Sequence, residues 1–423
     1  MSRLDLVIFG ATGFTGKRAV EEVVRAAPSD LTWAVAGRSQ EKLDTLLVEV
    51  SKKTGKDLSS TKVIIAEVKD DESLKAMCLA ARVVVNCCGP YRLYGEPVVR
   101  AAVEARTHYV DVSGEPQFIE GMQLRYGQQA KENGVYIVSA CGLDSIPNDY
   151  GVVYLQKHFE GRCGWMESYN IQRISKITNN NTLFPSLAHW GELSVLRKQI
   201  YPDRLPTFKP KLLPSPSYND VYYDVSRSTI HKHEGGWCLP FPGADGSIVY
   251  RTQRFFYENY QQRPVQFKPY VKFPKLFHSV MAIIGAAFLY LMSQLSLTRN
   301  LLLAHPRLFS FGLASHEGPT EEVMDNTSFS VELYGTGWNK GADLEATCQF
   351  YPFSVNCRRQ VSGMNPGYGA TATMLIFAAI TILKESAKMP DNGGVLTTGA
   401  AFRDTALAET LTQHGVKFEI LDN

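Results

Sequence analysis

The chain has 423 residues, 44% of them hydrophobic and 20% charged, with a formal net charge of +2. That length exceeds one ordinary domain and leaves ample chain to bury a core, so two domains are expected and a disordered chain is excluded. Eight cysteines lie scattered without a regular framework and no secretory leader precedes the first strand, which predicts reduced thiols in an intracellular protein that is not secreted.

Leu4–Phe9 is a near-continuous apolar run, as expected of a parallel strand buried on both faces. It feeds directly into Gly10, Ala11, Thr12, Gly13, Phe14, Thr15 and Gly16, a glycine-rich turn that opens a helix predicted over 13–24. Glycines at this spacing let the backbone turn tightly and approach a diphosphate, and the helix presents its N-terminal amides to that anion. Strand before and helix after are the context such a turn requires, so the residues are assigned to a dinucleotide.

The second strand, 32–36, ends in Gly37-Arg38-Ser39, where an NAD site usually places an acid on the ribose 2′-hydroxyl. Arg38 can instead hold a 2′-phosphate by a charge-assisted fork, with Ser39 contributing its hydroxyl or amide. NADP(H) is therefore favoured over NAD(H). The competing reading of Arg38 is a solvated surface charge at the head of a helix over 41–50.

Strands and helices go on alternating: 63–66, 73–80, 83–86, 97–104, 108–111 and 135–139. The pattern predicts an α/β fold, a Rossmann-type doubly wound parallel sheet, with the ligand beyond the carboxyl ends of its strands. Three loops there stand out: Asn86 to Pro97, Asp111 to Pro116, and Ala140 to Asp149. Cys88, Gly89 and Pro90, in the first of them, join the expected cofactor-binding set. Asp111 and Glu115 read as loop organisers. No metal site is expected: Cys87 and Cys88 are adjacent in the chain and point to different faces, and His231 and His233 have no thiolate or carboxylate cluster beside them.

Charge is uneven along the chain: residues 1–150 carry 18 basic and 20 acidic side chains, 151–300 carry 18 and 9, and 301–423 carry 8 and 13. A basic middle could meet nucleic acid, an anionic substrate or a membrane surface. What accompanies it is an uncharged run, Leu276 to Leu297, followed by a second apolar run, Leu301 to Leu313, with Lys272, Lys275 and Arg299 nearby. The strictly apolar part, Val280 to Met292, is shorter than the ~20 residues of a full span. It favours a hairpin over 276–313 lying in a membrane surface or lipid monolayer rather than nucleic-acid binding. The alternative home for these segments is the interior of the second domain or a homodimer interface.

The second domain is expected to begin near Gly164, with a strand over 249–257 and an irregular Pro/Ser-rich loop, a candidate lid, over 205–223. An apolar helix over 368–383 should pack on the nucleotide domain, with Asn365-Pro-Gly beside the cofactor. The resulting organisation is a dinucleotide-binding domain over 1–163, a second α+β domain for substrate or dimerisation over 164–360, and a C-terminal segment over 361–423 returning to the first domain.

Taken together, Gly-Ala-Thr-Gly-Phe-Thr-Gly from Gly10, Ala-Gly-Arg-Ser from Ala36, Gly-Pro-Tyr-Arg-Leu-Tyr-Gly-Glu-Pro-Val from Gly89, Asp-Val-Ser-Gly-Glu-Pro-Gln-Phe from Asp111, Gly-Leu-Asp-Ser-Ile-Pro from Gly142 and the tail Gly393 to Phe402 resemble the saccharopine dehydrogenase-like oxidoreductases. The resemblance spans nearly the whole chain. It implies the animal branch associated with lipid droplets or membranes, similar also to bacterial trans-acting enoyl reductases. The implied chemistry is hydride transfer from NADPH to a C=C or C=O of a small-molecule or lipid substrate at a lipid-droplet or cytoplasmic membrane surface. Tyr91, Tyr94 and Asp144 are the candidate proton donors. Against this, Tyr91 and Tyr94 could simply wedge a Pro/Gly loop, and Asp144 with Ser145 could cap a helix from Ile146. Two other functions stay open: a non-catalytic NADP(H)-binding scaffold or sensor, and a saccharopine-like amino-acid dehydrogenase.

Overall fold

The computed structural model describes residues 2–143, 145–174, 188–189, 227–241, 243–310, 314–315, 318–338 and 355–421. Its first half alternates β1 (Leu4–Phe9), α1 (Phe14–Ala26), β2 (Trp33–Gly37), α2 (Gln40–Thr54), β3 (Lys62–Ile65), α3 (Asp71–Ala80), β4 (Ala81–Asn86), α4 (Tyr91–Glu104), β5 (His108–Asp111), α5 (Pro116–Glu132) and β6 (Tyr136–Val138). All strands of this sheet run parallel, in the order Gly394–Leu396, β6, β5, β4, β1, β2, β3. The strand order reverses between β1 and β4, so a crevice opens beyond their carboxyl ends. Leu6, Val7, Ile8, Val83, Val84 and Val85 are fully buried, which is why these strands read as unbroken apolar runs.

A five-residue π-turn, Ile146–Tyr150, and α6 (Gly151–Lys157) lead into β7 (Arg162–Ile174), the middle of a second, mixed seven-stranded sheet. Its order is Lys417–Leu421, Val355–Met364, Thr327–Trp338, β7, Gln266–Phe273, Gly236–Pro240, His231–His233. Only β7 and Gln266–Phe273 are parallel within it. The chain after 361 supplies a strand to each sheet, Gly394–Leu396 to the first and Lys417–Leu421 to the second.

The strand expected over 249–257 is instead part of a helix, Asp245–Tyr260. Ile248, Val249, Thr252, Gln253 and Phe256 are buried at helical spacing, and Arg254 pairs with Glu258 one turn on at 2.7 Å. Burial at a 3.6-residue period makes this segment a helix despite its β-branched and aromatic residues. The apolar helix expected over 368–383 is present as a π-turn, Pro366–Ala370, continuing into Thr371–Glu385. It is buried nearly all round against α1, β4 and β5, and the Thr373 hydroxyl donates to Glu22 at 2.9 Å.

The segment from Leu276 behaves differently. Leu276–Gln294 is a 19-residue helix, followed by Ser296–Ala304 and Pro306–Phe309. Phe277, Ile284, Tyr290 and Leu291 are each more than half exposed. The reading that places this segment inside the second domain is thereby overturned for the helix. The 205–223 loop and Phe311 to Leu313, the end of the expected hairpin, lie outside the described residues.

Candidate functional site

The turn after β1 is built for close approach. Gly10 takes the left-handed region at φ 77°, and a Cβ there would sit 3.0 Å from the Cys88 amide nitrogen. A Cβ on Gly16 would overlap the Gly10 carbonyl oxygen. Ala11 is buried, while Thr12 and Gly13 are exposed. Gly13 caps α1 in extended geometry, and no side chain caps that helix start. First-turn amides thus face the crevice with a favourable dipole and no side chain between them and a diphosphate. The Phe14 ring packs edge-on against Tyr368, with centroids 4.5 Å apart, so the turn is braced by the Asn365–Tyr368 stretch.

At the end of β2, Arg38 is exposed and is followed by Ser39 and Gln40 rather than by an acid. Its charge acts on Cys88, at the end of β4 across β1: burial pushes that thiol up and Arg38 opposes the rise. Ser39 is the N-cap of α2, accepting from the Lys42 amide at 3.4 Å. Its oxygen is thus shared with the helix, leaving the hydroxyl hydrogen and its own amide for a ligand. A glycine cradle that Cβ atoms would fill, next to a cation with no competing acid, fits an NADP-type dinucleotide.

Below the crevice a buried network ties three strand ends together. Asp111 Oδ2 accepts from the Tyr109 hydroxyl at 2.8 Å and the Ser139 hydroxyl at 2.9 Å. Its Oδ1 accepts from the Ser113 and Ala140 amides at 2.9 and 3.0 Å. Asn86 donates to the Tyr109 hydroxyl oxygen at 2.9 Å and accepts from the Cys88 amide at 2.9 Å. Burial raises the Asp111 carboxyl to about 6 against these donors. Glu115 caps α4, accepting from the Tyr91 and Arg92 amides at 2.9 and 3.1 Å. Both acids organise loops, Asp111 from its strand end and Glu115 from its place before Pro116.

Tyr91 and Tyr94 do not lie in a loop; they form the first turn of α4. Glu115 supplies the cap that lets the helix start this early, which could not be read from a Gly-Pro-Tyr sequence. Tyr91 is buried, donates to the Asn86 carbonyl at 2.9 Å and accepts from the Val112 amide. Burial holds its hydroxyl well above the ordinary value, and Phe118 packs against its ring at 5.7 Å. Tyr91 is a strut between the end of β4 and the loop after β5, with its hydroxyl engaged inside the fold. Tyr94 is exposed. Asp144 lies outside the described residues, and Ser145 is buried beside it.

A second buried acid was not anticipated. Asp149 Oδ2 accepts from the Thr398 hydroxyl at 2.9 Å and the Gly399 amide at 2.6 Å, locking the strand end Gly394–Leu396 to the π-turn. Burial raises it to about 6 as well. Arg251, also buried, lies within reach of Asp149 and Glu120 and donates to Gln123 Oε1 at 2.6 Å. The signal was present as the glycine- and threonine-rich stretch 393–402, which periodicity leaves without a role.

Comparison with known proteins adds to this geometry. Residues 6–138 match the family described as "Saccharopine dehydrogenase NADP binding domain". Over 99% of its length and 99% of the relative's, the chain is 37% identical to "Lipid droplet localized protein" of Caenorhabditis elegans. Over 99% of its length and 97% of the relative's, it is 36% identical to "Saccharopine dehydrogenase-like oxidoreductase" of Rattus norvegicus. Among solved structures, the apo histidine-tagged saccharopine dehydrogenase (L-Glu forming) of Saccharomyces cerevisiae has the same fold: TM-score 0.56, 16% identity and 99% of each chain covered.

Proposed function

The chain belongs to the saccharopine dehydrogenase-like oxidoreductases and carries an NADP-binding domain, and from that premise we propose that it reduces a C=C or C=O bond of an apolar, lipid-borne substrate at a membrane or lipid-droplet surface. The observation that carries the reading is an exposed 19-residue apolar helix on a chain whose first half binds NADP. NADPH, when bound, supplies the hydride. The backbone of Gly10 to Gly16 would hold the diphosphate, Arg38 and Ser39 would hold the 2′-phosphate, and Cys88 to Pro90 would complete the cofactor-binding set. Tyr94 or a water delivers the proton. The name of the Caenorhabditis elegans relative, "Lipid droplet localized protein", supports the surface.

A small polyanion such as saccharopine would ask for several converging cations. At the head of α4, Arg92 is little exposed and lies 3.9 Å from Glu115, which is poorly suited to that demand. The apolar substrate is therefore preferred.

Fluorescence titration with NADPH and NADH tests the cofactor half. Arg38→Asp should weaken NADPH binding by roughly a hundredfold while sparing NADH, and failure of both nucleotides to bind would remove the reductase. Flotation with phosphatidylcholine/phosphatidylserine vesicles tests the surface half. The wild type should float and an Ile284→Asp/Leu291→Asp variant should not; equal behaviour of the two removes the helix from the interaction.

A further inference from the structure

This inference rests on the lipid-surface reading and concerns the direction in which the cofactor crevice faces. We propose that the edge of the second sheet marked by Ile174, Thr327 and Met364 lies against the lipid surface, and that an acyl-chain substrate passes over it laterally into the crevice.

Strand directions place the relevant parts together. β7 and Gln266–Phe273 are parallel, so both finish at one edge of the second sheet. Thr327–Trp338 begins at that edge, with Thr327 opposite Ile174, and Val355–Met364 ends there, with Met364 opposite Ser328. The exposed apolar helix starts at the same edge, separated from Phe273 only by Pro274 and Lys275. Met364 lies three strand spacings from the end of Gln266–Phe273, about 14 Å.

The other end of this edge touches the nucleotide turn. The Asn365 amide donates to the Thr327 carbonyl at 2.8 Å, and four residues into the turn that follows Met364 the Tyr368 ring meets Phe14. The apolar excursion also returns there. Gly318 packs on the Phe14 ring, and Glu321 pairs with Arg18 of α1 at 3.2 Å and Lys53 of α2 at 2.7 Å. The chain thus leaves the body at one end of the edge and rejoins it at the cofactor turn. A surface that takes up Leu276–Gln294 is brought against this edge rather than against the amino ends of the first sheet's strands.

The edge has the character such a contact needs. Ile174 and Met364 are 41% and 52% exposed, two large apolar side chains at the ends of the strands that flank Thr327–Trp338. Arg173, next to Ile174, and Lys275, two residues after Phe273, are exposed cations at the same end of the sheet, complementary to anionic headgroups. An acyl substrate moving laterally along this edge never transfers its chain to water, which removes the unfavourable step a crevice opening into bulk solvent would impose.

The test places an environment-sensitive fluorescent amino acid, one site at a time, at positions 174, 364, 284 and 79 in the full-length chain. Leu79 is an exposed control at the opposite pole, where its carbonyl accepts from Arg3 beside the start of β1. Each protein is mixed with phosphatidylcholine/phosphatidylserine vesicles whose chains carry a shallow doxyl quencher. Probes at 284, 174 and 364 should each lose about half their emission, at the depth expected of interfacial insertion, and the probe at 79 should lose none. Quenching at 284 with 174 and 364 no more affected than 79 overturns this orientation and leaves the surface-acting reductase standing. An unquenched probe at 284, the result if a second copy of the chain covers the helix, overturns both the orientation and the lipid surface.

Discussion

Among the described residues, two helices are long and apolar enough to cross a membrane by length and composition, and the fold treats them oppositely. In Pro366–Lys388, 83% of the most apolar stretch is buried; in Leu276–Gln294, 6% is. The difference lies in what surrounds them. The first follows a ten-residue strand of one sheet and precedes a three-residue strand of the other, so the chain has to run through the space between α1, β4 and β5. Its threonines satisfy themselves inside, Thr371 on the Pro366 carbonyl at 3.0 Å and Thr373 on Glu22. The second leaves Gln266–Phe273, a strand already paired on both sides, with β7 and with Gly236–Pro240. Apolar content sets how much surface seeks cover, and topology decides whether the protein or something outside it supplies that cover.

The contrast breaks most sharply if one charge is placed on each helix. Leu375 is fully buried, and Leu375→Asp should destabilise the fold by more than about 5 kcal/mol, comparable with the whole stability of a domain. Ile284→Asp, at a site 55% exposed, should change stability by less than about 0.5 kcal/mol. Urea unfolding of the soluble protein checks both, and equal losses would mean that the exposed helix has a protein partner after all.

A second effect separates the buried half of the molecule from the exposed excursion through pH. Asp111 and Asp149 are raised by burial from 3.8 to about 6. A folded state that holds a proton more tightly than the unfolded chain loses stability as pH rises through the interval between those values. Each group should therefore contribute a fall of roughly 3 kcal/mol between about pH 4 and pH 7. Asp149→Asn keeps an acceptor for Thr398 and Gly399 and should remove its share of that fall. The difference between wild-type and variant unfolding free energies, followed against pH, isolates it; parallel curves would mean that Asp149 is ionised throughout.

Legibility followed the same division. The first sheet could be read from sequence because its central strands are largely buried on both faces and three of them, β2, β4 and β5, end in a glycine, an amide and a carboxylate, at Gly37, Asn86 and Asp111. The second sheet could not, because Glu167, Tyr169, Glu332 and Tyr334 share one of its faces and carry their own ion pairs and ring stacks, as in Arg227 to Glu167 at 2.7 Å and His233 stacked on Tyr169 at 3.9 Å. Such a face hides the alternation of apolar and polar residues that marks a strand. The cofactor turn was legible because glycine spacing is local. The proton donor was not, because the role of each tyrosine depends on Glu115, more than 20 residues later.

That dependence gives the smallest predicted effect on stability and the sharpest on function, since burial and exposure recur within one helical turn. Tyr91→Phe leaves the buried Asn86 carbonyl and Val112 amide without the hydroxyl and should cost about 1–3 kcal/mol. Tyr94→Phe removes an exposed hydroxyl and should move stability by less than about 0.5 kcal/mol. If Tyr94 delivers the proton, its variant should lower turnover by about a hundredfold with NADPH affinity unchanged, since Tyr94 is outside the residues assigned to the cofactor. Tyr91→Phe should show the reverse pattern, with lost stability and, in the protein that remains folded, the same pH dependence of turnover as wild type. An unaltered rate in Tyr94→Phe would hand the proton to water and leave α4 with a purely architectural first turn.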